Sequence, residues 1–362
     1  MTKNKKKIII FVHSYKGFMK IYIDQIIHSL LKKKYKIYLY YKKKIKIDNV
    51  EPIIQKDLMY LYKMRDPRIY EEFLLFAKKK GINILLIPRL EFPAFLNYSM
   101  MSVNFKYKIY ITTMALELFK PSLTKLTIMK NILLDKKVQG LAIHTAANRH
   151  MKVPKKFAIN NNLKKKIFFF SEPKYYLDNN FMNKKKYKLS NKFKILFFGN
   201  FFYGKGLDIL VNASKYLNNN IKITIAGDPS SLNFSYNIKK KYKNINLLDK
   251  YISDNKMFEL FKSTDAVVLP YRKSYCCLSS GVLINSVQAF KPVIVPDIYP
   301  FNEIIKKYKI GLKFKVEDVK NLAKSINYLH KLIQEKKFKN ENFKKYLDEM
   351  NSSDLVIAKL NI

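Results

Sequence analysis

Short apolar runs alternate along the chain with longer segments in which apolar residues recur every three or four positions. Short β-branched or aromatic runs between polar segments are typical of buried strands, and the longer spacing is typical of helices. In the first half, the predicted strands are IIIFVH (8–13), KIYLYY (36–41), INILLIP (82–88), YKIYITT (107–113) and GLAIHT (140–145). The predicted helices are 21–31, 68–79 and 123–134. This alternation predicts a parallel, doubly wound α/β sheet.

A second α/β series begins near residue 192. Its predicted strands are KILFFGN, KITIAG, INLLDKY, AVVLPY and PVIVPD, with helices near 207–217, 255–262, 281–290 and 317–332. A charged, asparagine-rich stretch at 160–191, with one short strand (IFFFSEP), separates the two series and is typical of an interdomain connection. We therefore expect two Rossmann-like domains facing across a cleft, at 1–170 and 192–345, joined by a linker at 171–191. Residues 346–362 are expected to be a C-terminal segment that could cross back to the first domain.

The net charge of +43, from 70 Lys and Arg against 27 Asp and Glu, adds an expectation about partners. Such a surface attracts polyanions and anionic lipid headgroups. The lysine clusters are spread along the whole chain, only five of the cations are arginine, and no nucleic-acid-binding motif occurs. A nucleic-acid partner is therefore not expected, whereas peripheral association with an anionic membrane is compatible with the composition.

Three further features bear on localisation. Cys276 and Cys277 are the only cysteines, and adjacent cysteines make a poor disulfide framework, which indicates a reducing compartment. The start, MTKNKKKIIIFVHS, has five apolar residues before His13, too few for a signal peptide. The longest stretch without charge, 274–290, contains Ser, Asn and Gln, so no transmembrane segment is expected. We expect a cytoplasmic protein.

Glycine usage points to a binding site in the second half. Five of the nine glycines lie at strand-to-helix junctions in one stretch: Gly199, Gly204, Gly206, Gly227 and Gly281. Glycine is needed where backbone must approach a ligand closely, although ordinary tight turns would also place it there. One junction carries Lys205 before a helix, and another follows Pro-Tyr-Arg and begins a helix at Ser280. Two helix N-termini with flanking cations predict a diphosphate site.

These motifs resemble the retaining group-1 (family 4-like) glycosyltransferases of the GT-B fold. The similarity covers about residues 193–332 and consists of GNFFYGKGLDIL, AGD, YISDNKMFELFKSTDAVVLPYR and SGVLINSVQAFKPVIVPD. The resemblance implies a nucleotide-sugar donor, a glycan, lipid-linked or protein acceptor bound by the first half, and Lys205 as a contact to the donor diphosphate. Asn200 stands where the family commonly has an arginine. Cys277 and Asn285 stand where it often has two glutamates.

Glycosyl transfer requires stabilisation of the departing diphosphate. The sequence contains no Asp-x-Asp pair, so we expect no metal and no cofactor, with the nucleotide sugar as substrate. Cations and helix N-termini then take the place of a metal. The expected catalytic cations are Lys205 and Arg272, and the expected donor contacts are Gly17, Asn200, Gly204, Gly206, Gly227, Tyr251, Ser280, Gly281, Val282 and Asn285.

The acceptor side has fewer candidates. His13, at the end of the first strand, and Glu91, after INILLIP, are the expected catalytic residues there, although a lone histidine at a strand end is more often structural. Family resemblance also implies that a phosphate oxygen of the donor helps to deprotonate the acceptor. Three hypotheses stay open: a metal-independent glycosyltransferase, a non-catalytic GT-B scaffold that binds nucleotide or glycan, and a polyanion-binding surface protein.

Overall fold

The computed structural model describes the chain except for residues 1–5, 13, 16, 44, 55, 57, 114–122, 145–151, 171–191, 230–241, 277–279 and 350–352. The chain divides into two compact units. The N-terminal domain comprises Met1–Tyr176 together with Met350–Ile362, and the C-terminal domain comprises Leu177–Glu349. The predicted linker, 171–191, lies outside the described residues.

The N-terminal domain contains a parallel seven-stranded sheet. Its strands are β1 Lys7–Phe11, β2 Lys36–Tyr41, β3 Val50–Ile54, β4 Ile84–Ile87, β5 Lys108–Thr113, β6 Val138–His144 and β7 Ile167–Phe170. They pair in parallel in the order β3-β2-β1-β4-β5-β6-β7. The accompanying helices are α1 Gly17–Lys32, α2 Leu58–Met64, α3 Arg68–Lys79, α4 Pro93–Ser102, α5 Leu123–Leu134 and α6 Lys152–Asn160.

The C-terminal domain contains a parallel six-stranded sheet. Its strands are β8 Phe193–Phe198, β9 Ile221–Gly227, β10 Ile245–Asp249, β11 Ala266–Val268, β12 Val293–Pro296 and β13 Gly311–Phe314, in the order β10-β9-β8-β11-β12-β13. Its helices are α7 Leu207–Ala213, α8 Asp254–Ser263, α9 Gly281–Gln288, α10 Phe301–Tyr308, α11 Val319–Gln334 and α12 Asn340–Asp348. The prediction of two Rossmann-like domains is confirmed.

Burial explains why these sequences form these elements. Ile8, Ile9 and Ile10 are all fully buried, as expected for a strand of a parallel sheet that is covered on both faces. In α11, the buried residues Leu322, Ala323, Ile326 and Leu329 recur at helical spacing, and they belong to the core under the second sheet. The hydrophobic pattern therefore specifies the layers as well as the elements.

The sequence pattern did not predict two of the strands, β3 and β13. β3 has only Val50 fully buried and contains Pro52, which suits its position at the edge of the sheet. β13 begins at Gly311, where a Cβ would stand 1.9 Å from the carbonyl oxygen of Val293 on the neighbouring strand. Both strands lack the continuous apolar run by which the buried strands were identified.

The end of the chain packs in the N-terminal domain. The last helix, α13 (Ser353–Lys359), contacts α1. Lys32 Nζ lies 3.1 Å from Asp354 Oδ2, and Lys33 Nζ donates to the carbonyl of Ile362 at 2.7 Å. Among the described helices, none is long and apolar enough to cross a membrane.

Candidate functional site

The strand order of the C-terminal domain reverses between β8 and β11. In open parallel sheets, ligands bind beyond the carboxyl ends of the strands at such a reversal. Here β8 leads into the loop that carries Lys205, and β11 leads into Pro270, Tyr271 and Arg272. The topology alone therefore brings the two predicted motifs together.

The loop after β8 packs tightly on the segment after β11. Gly206 has left-handed φ and ψ of 63° and 34°, and a Cβ there would stand 2.0 Å from the carbonyl oxygen of Pro270. Only glycine satisfies both conditions without strain. The backbone amide of Arg272 also donates to the carbonyl of Gly204 at 2.9 Å. The position of Lys205 is thus determined by backbone contacts on both sides of it.

The Lys205 side chain points inward, with only 7% of its surface exposed. Its ammonium donates to the Tyr271 hydroxyl at 3.4 Å and lies 5.1 Å from the centre of the Tyr271 ring. A Cβ at Gly199 would come within 3.0 Å of Nζ, so the ammonium sits directly beyond the end of β8. Burial lowers the pKa of Lys205 from 10.5, and the nearby Tyr275 opposes the shift.

Helix α9 begins beside this ammonium. Val282, in its first turn, would contact the same Cβ at Gly199. Ser280 caps the helix by accepting a hydrogen bond from the Leu283 amide at 3.3 Å, and its hydroxyl lies 2.9 Å from that of Tyr271. Among the described residues, apart from its chain neighbours and the backbone of its own helix, no atom would lie within 4 Å of a Cβ at Gly281. A buried cation and a helix N-terminus together favour an anion.

Arg272 is engaged on several sides. Its Nη2 donates to Asp208, and its Nη1 lies 3.8 Å from Glu317 Oε1. Its Nε donates to the carbonyl of Tyr203 at 3.2 Å, and the guanidinium stacks 4.0 Å from the centre of the Tyr203 ring. The sequence suggested that Arg272 is a replacement cation for the diphosphate. The structure instead surrounds it with two carboxylates and the loop that carries Lys205.

The other expected donor contacts have varied surroundings. Asn285 is buried in α9 and donates to Met257 Sδ at 3.5 Å. Asn200, after β8, is exposed, and Tyr251, after β10, is 64% exposed. Gly227 ends β9 and packs against the carbonyl oxygen of Gly199. Cys277 lies outside the described residues.

The acceptor-side candidates belong to the N-terminal domain. His13 lies outside the described residues. Gly17 is the first residue of α1, so this predicted donor contact belongs to the other compact unit than Lys205. Glu91 follows β4 and forms an ion pair with Arg89 at 2.8 Å.

Sequence reasoning selected Ser280 but missed its hydroxyl partner Tyr271, and it missed Glu317. The pair had a weak signal, since Tyr271 adjoins the selected Arg272 and Ser280 caps the selected helix. Glu317 had none, because it follows β13, a strand the pattern did not predict.

Comparisons with known proteins identify a matching family model and similar solved structures. Residues 178–346 match the family model of group 1 glycosyl transferases. No curated protein matches the chain significantly. A glycosyltransferase from Rickettsia africae ESF-5 is similar in structure over 99% of this chain and 98% of its own, with 15% identity and a TM-score of 0.71.

Two further solved structures are similar over almost their whole length. Sucrose-phosphate synthase from Thermosynechococcus elongatus has 14% identity and a TM-score of 0.67, covering 99% of this chain and 98% of its own. Anabaena HepE in complex with UDP and glucose has 13% identity and a TM-score of 0.65, with 98% of each chain covered. At these identities the similarity shows the fold, which is that of GT-B proteins with two Rossmann-like domains.

Proposed function

The C-terminal domain matches the group 1 glycosyl transferases over residues 178–346, and on this basis we propose that the protein transfers a sugar from a nucleoside diphosphate sugar to an acceptor. The observation that carries the proposal is the buried Lys205 ammonium beside the start of α9. Among the described residues, the Lys205 ammonium has one long hydrogen bond, to Tyr271, and a buried ammonium so weakly paired is costly for the folded protein. A bound diphosphate would supply the missing counter-charge.

In this proposal, Lys205 and the first amides of α9 bind the diphosphate of the donor. They stabilise the negative charge that develops on the leaving phosphate as its bond to the sugar breaks. Arg272 is assigned to holding the Lys205 loop, since its charge is matched by Asp208 and Glu317. The donor nucleotide is proposed to extend towards Tyr251 and Asn285.

We propose that transfer retains configuration and needs no metal. The bond between the anomeric carbon and the phosphate oxygen breaks, and the acceptor oxygen bonds to that carbon on the same face. The acceptor proton passes to an oxygen of the leaving phosphate, so no strong side-chain base is required. Glu91 and His13 are proposed as acceptor-side groups of the N-terminal domain. Activity that persists in EDTA would support the metal-independent step.

The first experiment is a panel of UDP, GDP and ADP sugars, scored by release of the nucleoside diphosphate and by thermal stabilisation. UDP sugars are the first to try, since the similar Anabaena protein was solved with UDP and glucose. The acceptor panel should include glycans, lipid-linked sugars and peptides. If no nucleotide sugar is turned over and none stabilises the protein, the proposal is wrong.

Lys205→Met tests the site itself. Its matched control is Lys291→Met in the same domain, where Nζ donates to the carbonyl of Lys262 at 3.1 Å and burial likewise lowers the pKa. We expect Lys205→Met to abolish nucleotide binding and Lys291→Met to preserve it. Equal losses in both variants would show that the effect is not specific to the site.

A non-catalytic nucleotide-binding protein is the second candidate, because Asn285 and Cys277 occupy positions where the family often has glutamates. It predicts nucleotide binding with no sugar transfer to any acceptor. Peripheral membrane association is proposed separately on the net charge of +43. Flotation with anionic but not with neutral liposomes would support it.

A further inference from the structure

The backbone of the residues after β11 contacts the loop that carries Lys205, whereas the Tyr271 side chain points into the domain. The carbonyl of Pro270 packs against Gly206, and the amide of Arg272 binds the carbonyl of Gly204. Between them, Tyr271 turns inward, and its hydroxyl lies between Lys205 Nζ, at 3.4 Å, and Ser280 Oγ, at 2.9 Å. This hydroxyl is therefore the link between the loop cation and the cap of α9.

The direction of the hydrogen bond between Lys205 and Tyr271 follows from the chemistry of the groups. An ammonium can only donate, so the Tyr271 oxygen accepts from Lys205. Ser280 Oγ accepts a hydrogen bond from the Leu283 amide, and in its 2.9 Å hydrogen bond with Tyr271 either hydroxyl can be the donor. Burial raises the pKa of Tyr271, so the hydroxyl keeps its proton. Tyr271 therefore links the Lys205 ammonium to the Ser280 hydroxyl through two hydrogen bonds.

The tyrosine ring is held independently of its hydroxyl. Tyr271 is 1% exposed, and its ring lies 4.1 Å from that of Tyr275 and 5.6 Å, edge on, from that of Phe301. Phenylalanine at position 271 would keep this packing, because it differs only by the oxygen atom. The role of the hydroxyl can therefore be separated from that of the ring.

We propose that Tyr271 is a positioning residue of the donor site, whose hydroxyl holds the Lys205 ammonium against the first turn of α9. This inference rests on the proposed function. The hydroxyl gives the ammonium an acceptor in an otherwise aromatic enclosure, with the Phe202 ring 5.9 Å from Nζ. Tyr271 acts on the diphosphate through Lys205.

The proposal has a consequence for pH dependence. In the described part of the chain, the titratable side chains that face Lys205 are Tyr271 and Tyr275. Loss of the Tyr271 hydroxyl would remove a stabiliser of the charged amine, so the pKa of Lys205 should fall further below its ordinary range. Affinity for a diphosphate requires the ammonium, and it should then decline at lower pH than in the wild type.

The test is Tyr271→Phe, with Tyr308→Phe as control. Tyr308 is similarly buried in the same domain, and its hydroxyl donates to Glu349. Dissociation constants for UDP, GDP and ADP are measured by calorimetry from about pH 7 to about pH 10, around the titration of a perturbed lysine. We expect Tyr271→Phe to bind the preferred nucleotide roughly tenfold more weakly, the typical effect of a hydrogen bond to a charged group. The decline of nucleotide affinity at alkaline pH should begin at a lower pH in Tyr271→Phe than in the wild type. Tyr308→Phe should match the affinity of the wild type at every pH.

Unchanged binding in Tyr271→Phe, or a loss that is equal at every pH, would overturn the positioning role. If the wild type binds none of the three nucleotides, the proposed function fails and this inference fails with it. Should Tyr271→Phe not fold, Ser280→Gly is the second variant, since glycine keeps most of the capping stability but removes the anchor of the tyrosine hydroxyl. Ser280→Gly should also move the alkaline decline of nucleotide affinity to lower pH, and the absence of such a shift would refute the proposal.

Discussion

Replacing Lys205 with methionine should make the protein more stable while it abolishes nucleotide binding. The side chain is 7% exposed, and within the described residues its ammonium has one hydrogen bond, of 3.4 Å, to Tyr271. Methionine has a similar length and no charge, so it can occupy the same space among the aromatic rings. Tyr271 would keep Ser280 as a hydrogen-bond partner, at 2.9 Å, and no buried hydroxyl would be orphaned.

The magnitude follows from two opposing terms. Removing a poorly paired buried ammonium relieves a desolvation penalty of about 3 kcal/mol. The substitution loses the contacts of the ammonium with the Tyr271 and Phe202 rings, at 5.1 and 5.9 Å, which are together worth about 1 kcal/mol. The net gain of about 2 kcal/mol corresponds to a rise in Tm of about 4 to 8 °C for a domain of this size.

The gain should depend on pH in a defined direction. Burial holds the pKa of Lys205 in the folded protein below its ordinary value of 10.5. Between these two pKa values the unfolded chain binds more protons, so wild-type stability rises with pH. The advantage of Lys205→Met should therefore be largest below the folded-state pKa and should shrink as the pH approaches 10.5.

The assay is thermal unfolding followed by far-UV circular dichroism at neutral and alkaline pH, because the chain contains no tryptophan. Lys291→Met again serves as control, and it should be destabilising, since it removes the donor to the Lys262 carbonyl. If Lys205→Met lowers Tm as Lys291→Met does, the Lys205 ammonium stabilises the folded protein. The argument that its burial serves an anionic ligand would then be refuted.

Three further predictions concern the surroundings of Lys205. Gly206→Ala should weaken nucleotide binding and should lower the free energy of unfolding by more than about 1 to 2 kcal/mol, the cost of a left-handed backbone at a residue with a Cβ. Gly81→Ala is the control, since φ there is +60° and no described neighbour would lie within 4 Å of the Cβ, and in thermal unfolding it should show only that backbone cost. Arg272→Lys should lower the stability by about 1 kcal/mol and should also weaken nucleotide binding, because lysine cannot reproduce the stacking on Tyr203 and the forked contacts to the carboxylates. A loss of affinity with unchanged stability would instead indicate that Arg272 binds the phosphate directly. Ser280→Ala should cost about 1 kcal/mol and weaken binding, whereas Asp318→Ala, which removes the cap of α11, should affect mainly stability.

The pattern of the sequence was sufficient for the architecture, because buried parallel strands need continuous apolar runs. The run at 8–10 and the spacing of α11 identify their elements from local composition. β3 could not be found in this way, because an edge strand with Pro52 buries little. The positions of Gly206 and Lys205 could also be anticipated, since the strand, the loop and the helix that define them are contiguous in the chain.

By itself, the sequence determined two Rossmann-like domains and a lysine-bearing loop before a helix. Only the tertiary structure decided what each cation contacts. Arg272 meets Asp208 and Glu317 because the segments that follow β8, β11 and β13 converge at the strand ends, and the ammonium of Lys205 is enclosed because Tyr271 folds inward. The positive charge of a side chain does not by itself show whether the side chain is paired within the protein or binds an anionic ligand. That distinction arises from burial and partners, which depend on residues brought together across the sheet.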